Sequence, residues 1–432
     1  MTRDLEPTRR DLRLRSTGVV RHRRGRQPRA VGTVARFLLA TIAVVVISSL
    51  AIVGTLVLST TSHIKPGVQL LDAQGHVAPP PRVGALQGGA NILLAGTDTR
   101  TGQGGEFSSD GQLDGSSGVG SNDVTMVLHI AADHQSAAVI SIPRDLIAPI
   151  PECPDGSGGT YSAQSAGMFN TTLSEGGISC VVLAAEQLTG LNIQYAATID
   201  FDGVIGMANA VGGVTVCLND AVFDPDSGLD LPAGTSRVSG GMALAFVRSR
   251  TGVGDGSDLG RISNQQVFLS ALARQIIGEG VLTNPIVLYQ LASAAASNLQ
   301  ATESLANPTT IVSLALAMKN MSLDHIVFLQ YPVVADPDNA NRVVPNDYAA
   351  EALVSALASD DPLQLTGALG RGATVDPAPA APVPAATPSI VDVLRKPAPA
   401  TAATAAPAAP VALPDNISGQ TAAEATCGKA NN

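Results

Sequence analysis

The stretch "NILLAGTDTR", Asn91 to Arg100, decides how the rest of this chain reads. Ile92, Leu93, Leu94 and Ala95 form a short apolar run of the kind that fills a buried strand; Gly96 interrupts it, and Asp98 and Arg100 then present opposite charges. A greasy strand that stops at a small residue and continues into charge is one way a site is built on the rim of a sheet. The plainer alternative is an ordinary strand end.

Working outward, "VTMVLHI" (Val124 to Ile130) and "AAVISI" (Ala137 to Ile142) read as two short apolar strands joined by the turn-like "AADHQS". Paired as a hairpin, they bring Asp123, just before the first, to the same end as Arg144 and Asp145 in "SIPRD", just after the second. If the strand ending at Gly96 runs parallel to Ala137–Ile142, Asp98 and Arg100 join them. Asp98 and Asp123 then converge with Arg100 and Arg144 on one rim, beside Asp145.

Farther along, "LAFVRSR" is expected to be a strand with Arg248 and Arg250 on one face. Neighbouring guanidinium groups repel unless an anion such as phosphate lies between them, and each can grip phosphate with two hydrogen bonds. "GRISNQQVFLSALARQIIGEG" reads as a long helix with Ile262, Leu269, Ala273 and Ile276 on its apolar face. Arg261 and Gln265 sit one turn apart on it, and Asp258 is the expected N-cap. "GGISCVVLAAEQLTG" is helical with Gly190 as its stop, and "FDGVIGMANAVGG" is a second helix before the strand "VTVCL". Alternating elements of this kind predict an α/β sandwich with a central mixed sheet. The chain has no internal repeat.

Charge and hydropathy divide the 432 residues. Residues 1–36 hold eleven arginines against three acids, a balance of +8; the remainder carries 15 basic and 33 acidic residues, or −18. Phe37 to Leu58 contains no charge, Pro, Asn or Gln, and as a helix its 22 residues would reach roughly 33 Å, enough for a bilayer core. It is expected to be an uncleaved transmembrane helix with the arginine-rich tail in the cytoplasm and the rest outside. The basic tail then serves topology and anionic lipid, not nucleic acid. The expected organisation is a basic cytoplasmic tail (1–36), a span (37–58), a stalk (59–89), one extracytoplasmic domain (90–370) and a disordered Pro/Ala-rich tail (371–432).

All four cysteines, Cys153, Cys180, Cys217 and Cys427, lie on the outer side, where one or two disulfides can form. Connectivity is not fixed by sequence; Cys153 with Cys180 is the pairing expected here, and free buried thiols are the alternative. No CxxC or HxxxH spacing points to zinc. His129 and His134 lack catalytic companions and read as structural or surface residues. Asp98 and Asp123 suit Mg²⁺, which takes one or two carboxylates along with phosphate oxygens and water. A handful of arginines at contact distance, each charge-assisted hydrogen bond contributing roughly 1.5 to 3 kcal/mol, can outweigh a repulsive field that salt screens beyond about 8 Å. The competing reading is that each arginine simply pairs with a nearby acid.

Taken together, "NILLAGTDTR", "NDVTMVLHI", "AAVISIPRDLIAPIP", "EQLTGLNIQYAATIDFDGVIGMANAVGGVTV", "GLDLPAG", "ALAFVRSR" and "SDLGRISNQQVFLSALARQI" resemble the LytR-CpsA-Psr proteins of Gram-positive envelopes. The resemblance implies a Mg²⁺-dependent phosphotransferase that moves a glycopolymer from a polyprenyl-pyrophosphate carrier to a peptidoglycan hydroxyl, beside the membrane. It implies that Arg144, Arg248, Arg250 and Arg261 with Gln265 hold the pyrophosphate, that Asp98 and Asp123 hold the metal, and that the lipid tail lies between sheet and helices. Two common arginines of that family are missing: Ser121 and Asn264 stand in their places, with Arg100 the candidate to replace the first. A non-catalytic envelope scaffold or lipid-binding regulator, and a polyprenyl-pyrophosphate hydrolase, are the rival functions. The Gly/Ser-rich loop Thr101–Gly120 reads as a flap, and "TAAEATCG" carries no assigned chemistry.

Overall fold

The computed structural model describes residues 66–77, 88–101, 118–278, 281–376 and 409–431. The expected cytoplasmic tail and transmembrane helix lie outside these residues, as does most of the expected flap. Among the described residues no helix is long and apolar enough to cross a membrane.

The alternation read from the sequence is realised as strands β1 (Ala90–Thr97), β2 (Asn122–Ile130), β3 (Ala137–Ile142), β4 (Tyr195–Ile199), β5 (Val214–Leu218), β6 (Gly234–Val238), β7 (Leu299–Ala301), β8 (Ile326–Gln330), β9 (Ala373–Val375), β10 (Gly419–Thr421) and β11 (Thr426–Gly428). The helices that pack on them are α1 (Thr172–Thr189), α2 (Phe201–Ala210), α3 (Gly240–Arg248), α4 (Asp258–Gly278), α5 (Pro285–Asn298), α6 (Pro308–Ala317) and α7 (Asp347–Ser359). A seven-stranded sheet runs in the order β7-β4-β1-β2-β3-β8-β10 and a four-stranded one in the order β6-β5-β11-β9. The larger is mixed. β1 and β3 each pair antiparallel with β2, so they run the same way, while β4 lies parallel to β1 and β8 parallel to β3.

Leu93, Val127 and Ile140 point from this sheet into a core shared with α1 and α7, and Ala90, Ile130 and Phe328 point into a core on the opposite face. α1 ends where Gly190 adopts the left-handed conformation (φ 69°), which a residue without Cβ takes without strain. The helix α4 lies between the two sheets, touching β8 and β10 on one side and β5 and β11 on the other. Its amino-terminal half is therefore buried on all sides, polar residues Ser263, Asn264 and Gln266 included, and not only along the Ile262–Leu269 stripe that periodicity suggested.

Three expectations change. "LAFVRSR" is not a strand: Gly240–Arg248 is a helix, since Met242, Ala243, Leu244 and Ala245 favour one and the short apolar run suits either period. The last residues are not a disordered tail. Residues 409–431 return to the domain, where β10 adds to the large sheet beside β8 and β11 sits between β5 and β9. The pairing is non-local, and disulfides join Cys217 to Cys427 across 210 residues and Cys153 to Cys180 across 27. Finally, residues 66–77 of the expected stalk lie against the domain, with Val68 N–H donating to Ala301 O (2.9 Å) and Leu71 N–H to Ser179 Oγ (3.0 Å). His129 accepts the structural role, bridging Asn91 (2.7 Å) and Asp360 (3.1 Å).

Candidate active site

A cavity of about 540 Å³ opens where β1, β2 and β3 reach the same rim. The residues expected to hold phosphate or metal all line it: Asp98, Arg100, Asp123, Arg144, Arg248, Arg250, Arg261 and Gln265; Asp145 and Asp258 do not. The directions of β1 and β3 bring the first four together, as the hairpin argument required.

Asp98 is seated by its own backbone surroundings. Ser121 N–H donates to Asp98 Oδ1 (2.8 Å), and Asp98 N–H donates back to Ser121 O (3.3 Å). Gly120 makes this approach possible: a Cβ there would lie 2.7 Å from Asp98 Oδ1 and 2.6 Å from Thr97 Oγ1, on a backbone at φ +72°. Asp123 Oδ1 accepts from Arg144 Nη1 at 2.8 Å. Arg144 Nε also stands 3.5 Å from Asp258 and 3.9 Å from Asp145. Burial acts against the Arg144 charge, but Asp123, Asp258 and Asp145 outweigh it and raise its pKa.

Asp258 is not the N-cap of α4. Ser257 Oγ accepts from Gly260 N–H (3.2 Å) and takes that role, while Asp258 occupies the first turn and pairs with Arg261 at 2.6 Å. Burial raises the Asp258 carboxyl against the pull of Arg261 and Arg144. Arg261 also donates through Nη2 to Asp123 O (2.7 Å), tying α4 to the start of β2. For Arg144 and Arg261, pairing with acids and lining the cavity are both true.

Arg248 and Arg250 are placed differently. Arg248 closes the last turn of α3, whose carbonyls need partners from outside the helix. Asn264 Nδ2 donates to Phe246 O (2.7 Å) and Gln265 Nε2 to Val247 O (2.9 Å). Gln265, expected to hold a ligand, thus fixes the end of the helix that carries Arg248.

Sequence reasoning missed the residues beneath these arginines. Phe201 lies under both the Arg100 guanidinium (4.9 Å to the ring centre) and that of Arg248 (4.4 Å), so one ring orients two cations. Asp224 gathers the loop after α3: Ser249 Oγ (2.6 Å), Arg250 N–H (3.1 Å), Gly252 N–H (3.2 Å) and Thr251 Oγ1 (2.9 Å) all donate to its carboxylate. Burial disfavours its charge, yet these donors prevail and hold the carboxyl far below the usual aspartate range. The returning carboxyl-terminal segment backs the same loop, with Gly254 N–H donating to Lys429 O (2.8 Å) and Asn431 Nδ2 to Thr251 O (2.9 Å). Asn264, where the resemblance would place an arginine, faces Gly428 of that segment closely enough that a Cβ on Gly428 would lie 2.7 Å from Asn264 Oδ1.

The donor set fits Mg²⁺. Asp98 and Asp123 line one cavity and each engages the hydrogen bonds described through Oδ1, leaving Oδ2 as a ligand atom, and two carboxylates match the demand of that ion. The Cys217, Cys427 and Asp376 side chains also cluster, but the two sulfurs are joined in a disulfide.

Fold and site together define an α/β domain with an arginine-lined cavity at the rim of its central sheet. The model of the LytR_cpsA_psr family matches residues 64–358, and the chain belongs to that family. It is similar to "Cell wall biosynthesis protein LcpA" of Corynebacterium glutamicum, 32% identical over 272 residues, covering 58% of this chain and 51% of LcpA. "Probable cell wall biosynthesis protein LcpB" of the same organism is 32% identical over 336 residues, covering 77% of this chain and 74% of LcpB. "Polyisoprenyl-teichoic acid--peptidoglycan teichoic acid transferase TagU" of Oceanobacillus iheyensis is 30% identical over 181 residues, covering 42% of this chain and 49% of TagU. The chain thus spans about half the length of LcpA and TagU.

Proposed function

We propose that this protein transfers a glycopolymer, with its linking phosphate, from a polyprenyl-pyrophosphate carrier to peptidoglycan in cell wall assembly. The observation that carries the reading is the convergence of five arginines, from four separate segments, on one cavity that also holds Asp98 and Asp123. A diphosphate is the compact anion that such a set grips with paired hydrogen bonds. The transfer named for TagU supports the same reaction class.

In this reaction the oxygen of an acceptor hydroxyl forms a bond to the phosphorus nearest the sugar. The bond from that phosphorus to the bridging oxygen breaks, and polyprenyl phosphate leaves with the bridging oxygen and the electron pair. The hydroxyl proton passes to an aspartate at the rim. Arg144 and Arg248 hold the phosphoryl oxygens from opposite sides, and Arg100, Arg250 and Arg261 complete the clamp. Asp98 and Asp123 would hold Mg²⁺, which when bound offsets charge on the phosphoryl oxygens as the phosphorus–oxygen bond breaks. Ile199, Val204, Leu244 and Val247 supply an apolar side of the cavity for the first isoprene units.

The same reading puts residues 1–36 in the cytoplasm, 37–58 across the membrane and the domain outside, supported by the arginine-rich flank and the two disulfides. Ser121, in place of an arginine, favours the scaffold as the second reading. Incubating the full chain with a synthetic lipid-linked donor and peptidoglycan, with and without Mg²⁺, separates them. Metal-dependent polymer attachment is expected; phosphate release alone would indicate a hydrolase, and binding without turnover a scaffold.

A further inference from the structure

Arg144 has more negative charge around it than one guanidinium needs. Its Nη1 donates to Asp123 (2.8 Å), while its buried Nε stands 3.5 Å from Asp258 and 3.9 Å from Asp145 and makes no hydrogen bond among the described residues. Hydrogen bonds between guanidinium and carboxylate close at about 2.7 to 2.9 Å, so both acids stop short of Nε. Each has another arginine at closer range. Arg261 stands 2.6 Å from Asp258, and Arg342 Nη1 donates to Asp145 Oδ1 at 2.7 Å.

Arg261 lines the arginine cavity, but Arg342 does not; with Asp145 it lines a separate space of about 210 Å³. Arg342 precedes the strand Val343–Pro345, which pairs with Val333–Ala335. The backbone carries it to the end of β3, 197 positions from Asp145 in sequence: Val343 N–H donates to Asp145 O (3.2 Å), and Val343 forms a parallel bridge with Leu146. The Asp145 and Arg342 side chains are 15% and 30% accessible, so water and salt weaken this pair less than an exposed one.

We infer that Arg342 is a positioning residue for transfer: by neutralising Asp145 it keeps that carboxylate off Arg144, whose guanidinium then stays available to the pyrophosphate. The inference rests on the transferase reading above and adds to it a residue outside the cavity. Without Arg342, the remaining salt-bridge partner of Asp145 among the described residues is Arg144. Closing that gap would draw the guanidinium toward Asp145 and away from the phosphoryl oxygens.

The test binds geranylgeranyl pyrophosphate to the full chain, well below the unfolding midpoint of each variant. Arg342→Ala should weaken binding about tenfold, the order of one charge-assisted hydrogen bond, and Arg342→Lys, which keeps the charge, should weaken it less. The deciding variant combines Arg342→Ala with Asp145→Asn. Once the carboxylate is gone nothing is left to neutralise, and affinity should return to within about threefold of wild type. If the pair served only as a tether between the Val333–Pro345 hairpin and the end of β3, the double variant would lose the tether as the single one does and stay weak. Wild-type affinity in Arg342→Ala, or a double variant as weak as the single one, would overturn the inference. Arg144→Ala separates this from the reading beneath it. Equal affinity in wild type and Arg144→Ala removes the pyrophosphate clamp and the role of Arg342 with it; weakening in Arg144→Ala but not in Arg342→Ala removes only the latter.

Discussion

Arg144 and Arg248 line the same cavity, but they are held in unlike ways. Arg144 follows a hairpin strand and is fixed by carboxylates at contact distance, Asp123 foremost. Arg248 ends a helix, rests on the Phe201 ring, and is followed by a loop that Asp224 and the carboxyl-terminal segment hold from behind. The first placement is electrostatic, with its shortest contact to Asp123 only 21 positions away; the second depends on contacts that span up to 180 positions, as between Asn431 and Thr251. One clamp thus has a side held by charge and a side held by long-range packing.

The largest expected effect comes from removing both sides together. Arg144→Ala and Arg248→Ala should each lower kcat/KM for a lipid-linked donor by about 10- to 100-fold, and the double variant by about 1,000-fold or more, from charge-assisted hydrogen bonds of roughly 1.5 to 3 kcal/mol each. The comparison sharpens in thermal unfolding. Arg144→Ala should lower Tm because it leaves Asp123 and the buried Asp258 with fewer countercharges, whereas Arg248→Ala, which leaves no acid buried beside Arg144 uncompensated, should lower it less. Equal Tm losses would break the distinction between the two sides.

Next in size, Cys217→Ser with Cys427→Ser should cost about 2 to 5 kcal/mol of stability, read by denaturant unfolding. It should also weaken pyrophosphate binding in the wild-type background more than in Arg248→Ala, since the strap acts through the loop that Arg248 begins. Asp224→Ala should follow, at about 2 kcal/mol or more, because the four donors of the loop after α3, and Asp226 and Ser227 N–H besides, lose their acceptor. Acid gives the same effect by titration. The Asp224 pKa is depressed in the folded state, so its contribution is full above the unfolded value near 3.9 and is lost as pH falls below it. Tm should therefore drop on acidification from about pH 5, and less steeply in the Asp224→Ala variant. The smallest effect expected is a gain: Ser121→Arg adds a guanidinium beside Asp98 and should tighten pyrophosphate binding by up to about tenfold.

The hairpin side of the clamp was legible because its logic is short-range. Two strands, a turn and the alternation of side chains suffice to bring Asp123 and Arg144 to one end. The other side was not, because "ALAFVRSR" offers an apolar run too short to choose its own period, and the choice falls to packing against α4. Arg248 and Arg250 reached the right cavity in the reading by the wrong element. Phe201 and Asp224 carried no local signal of their role. The carboxyl-terminal segment is poor in large apolar residues and follows a Pro/Ala-rich stretch, so nothing near it announces that Thr421 pairs with Val327 or that Cys427 meets Cys217.

The Cys217–Cys427 bond has a consequence for how the molecule wears. Any single cut by a protease between these two residues leaves both fragments covalently joined, with the final strand still seated beside β5. Such a nicked molecule would run as two pieces on a gel only after reduction, so a single band under oxidising conditions is no proof of an intact chain.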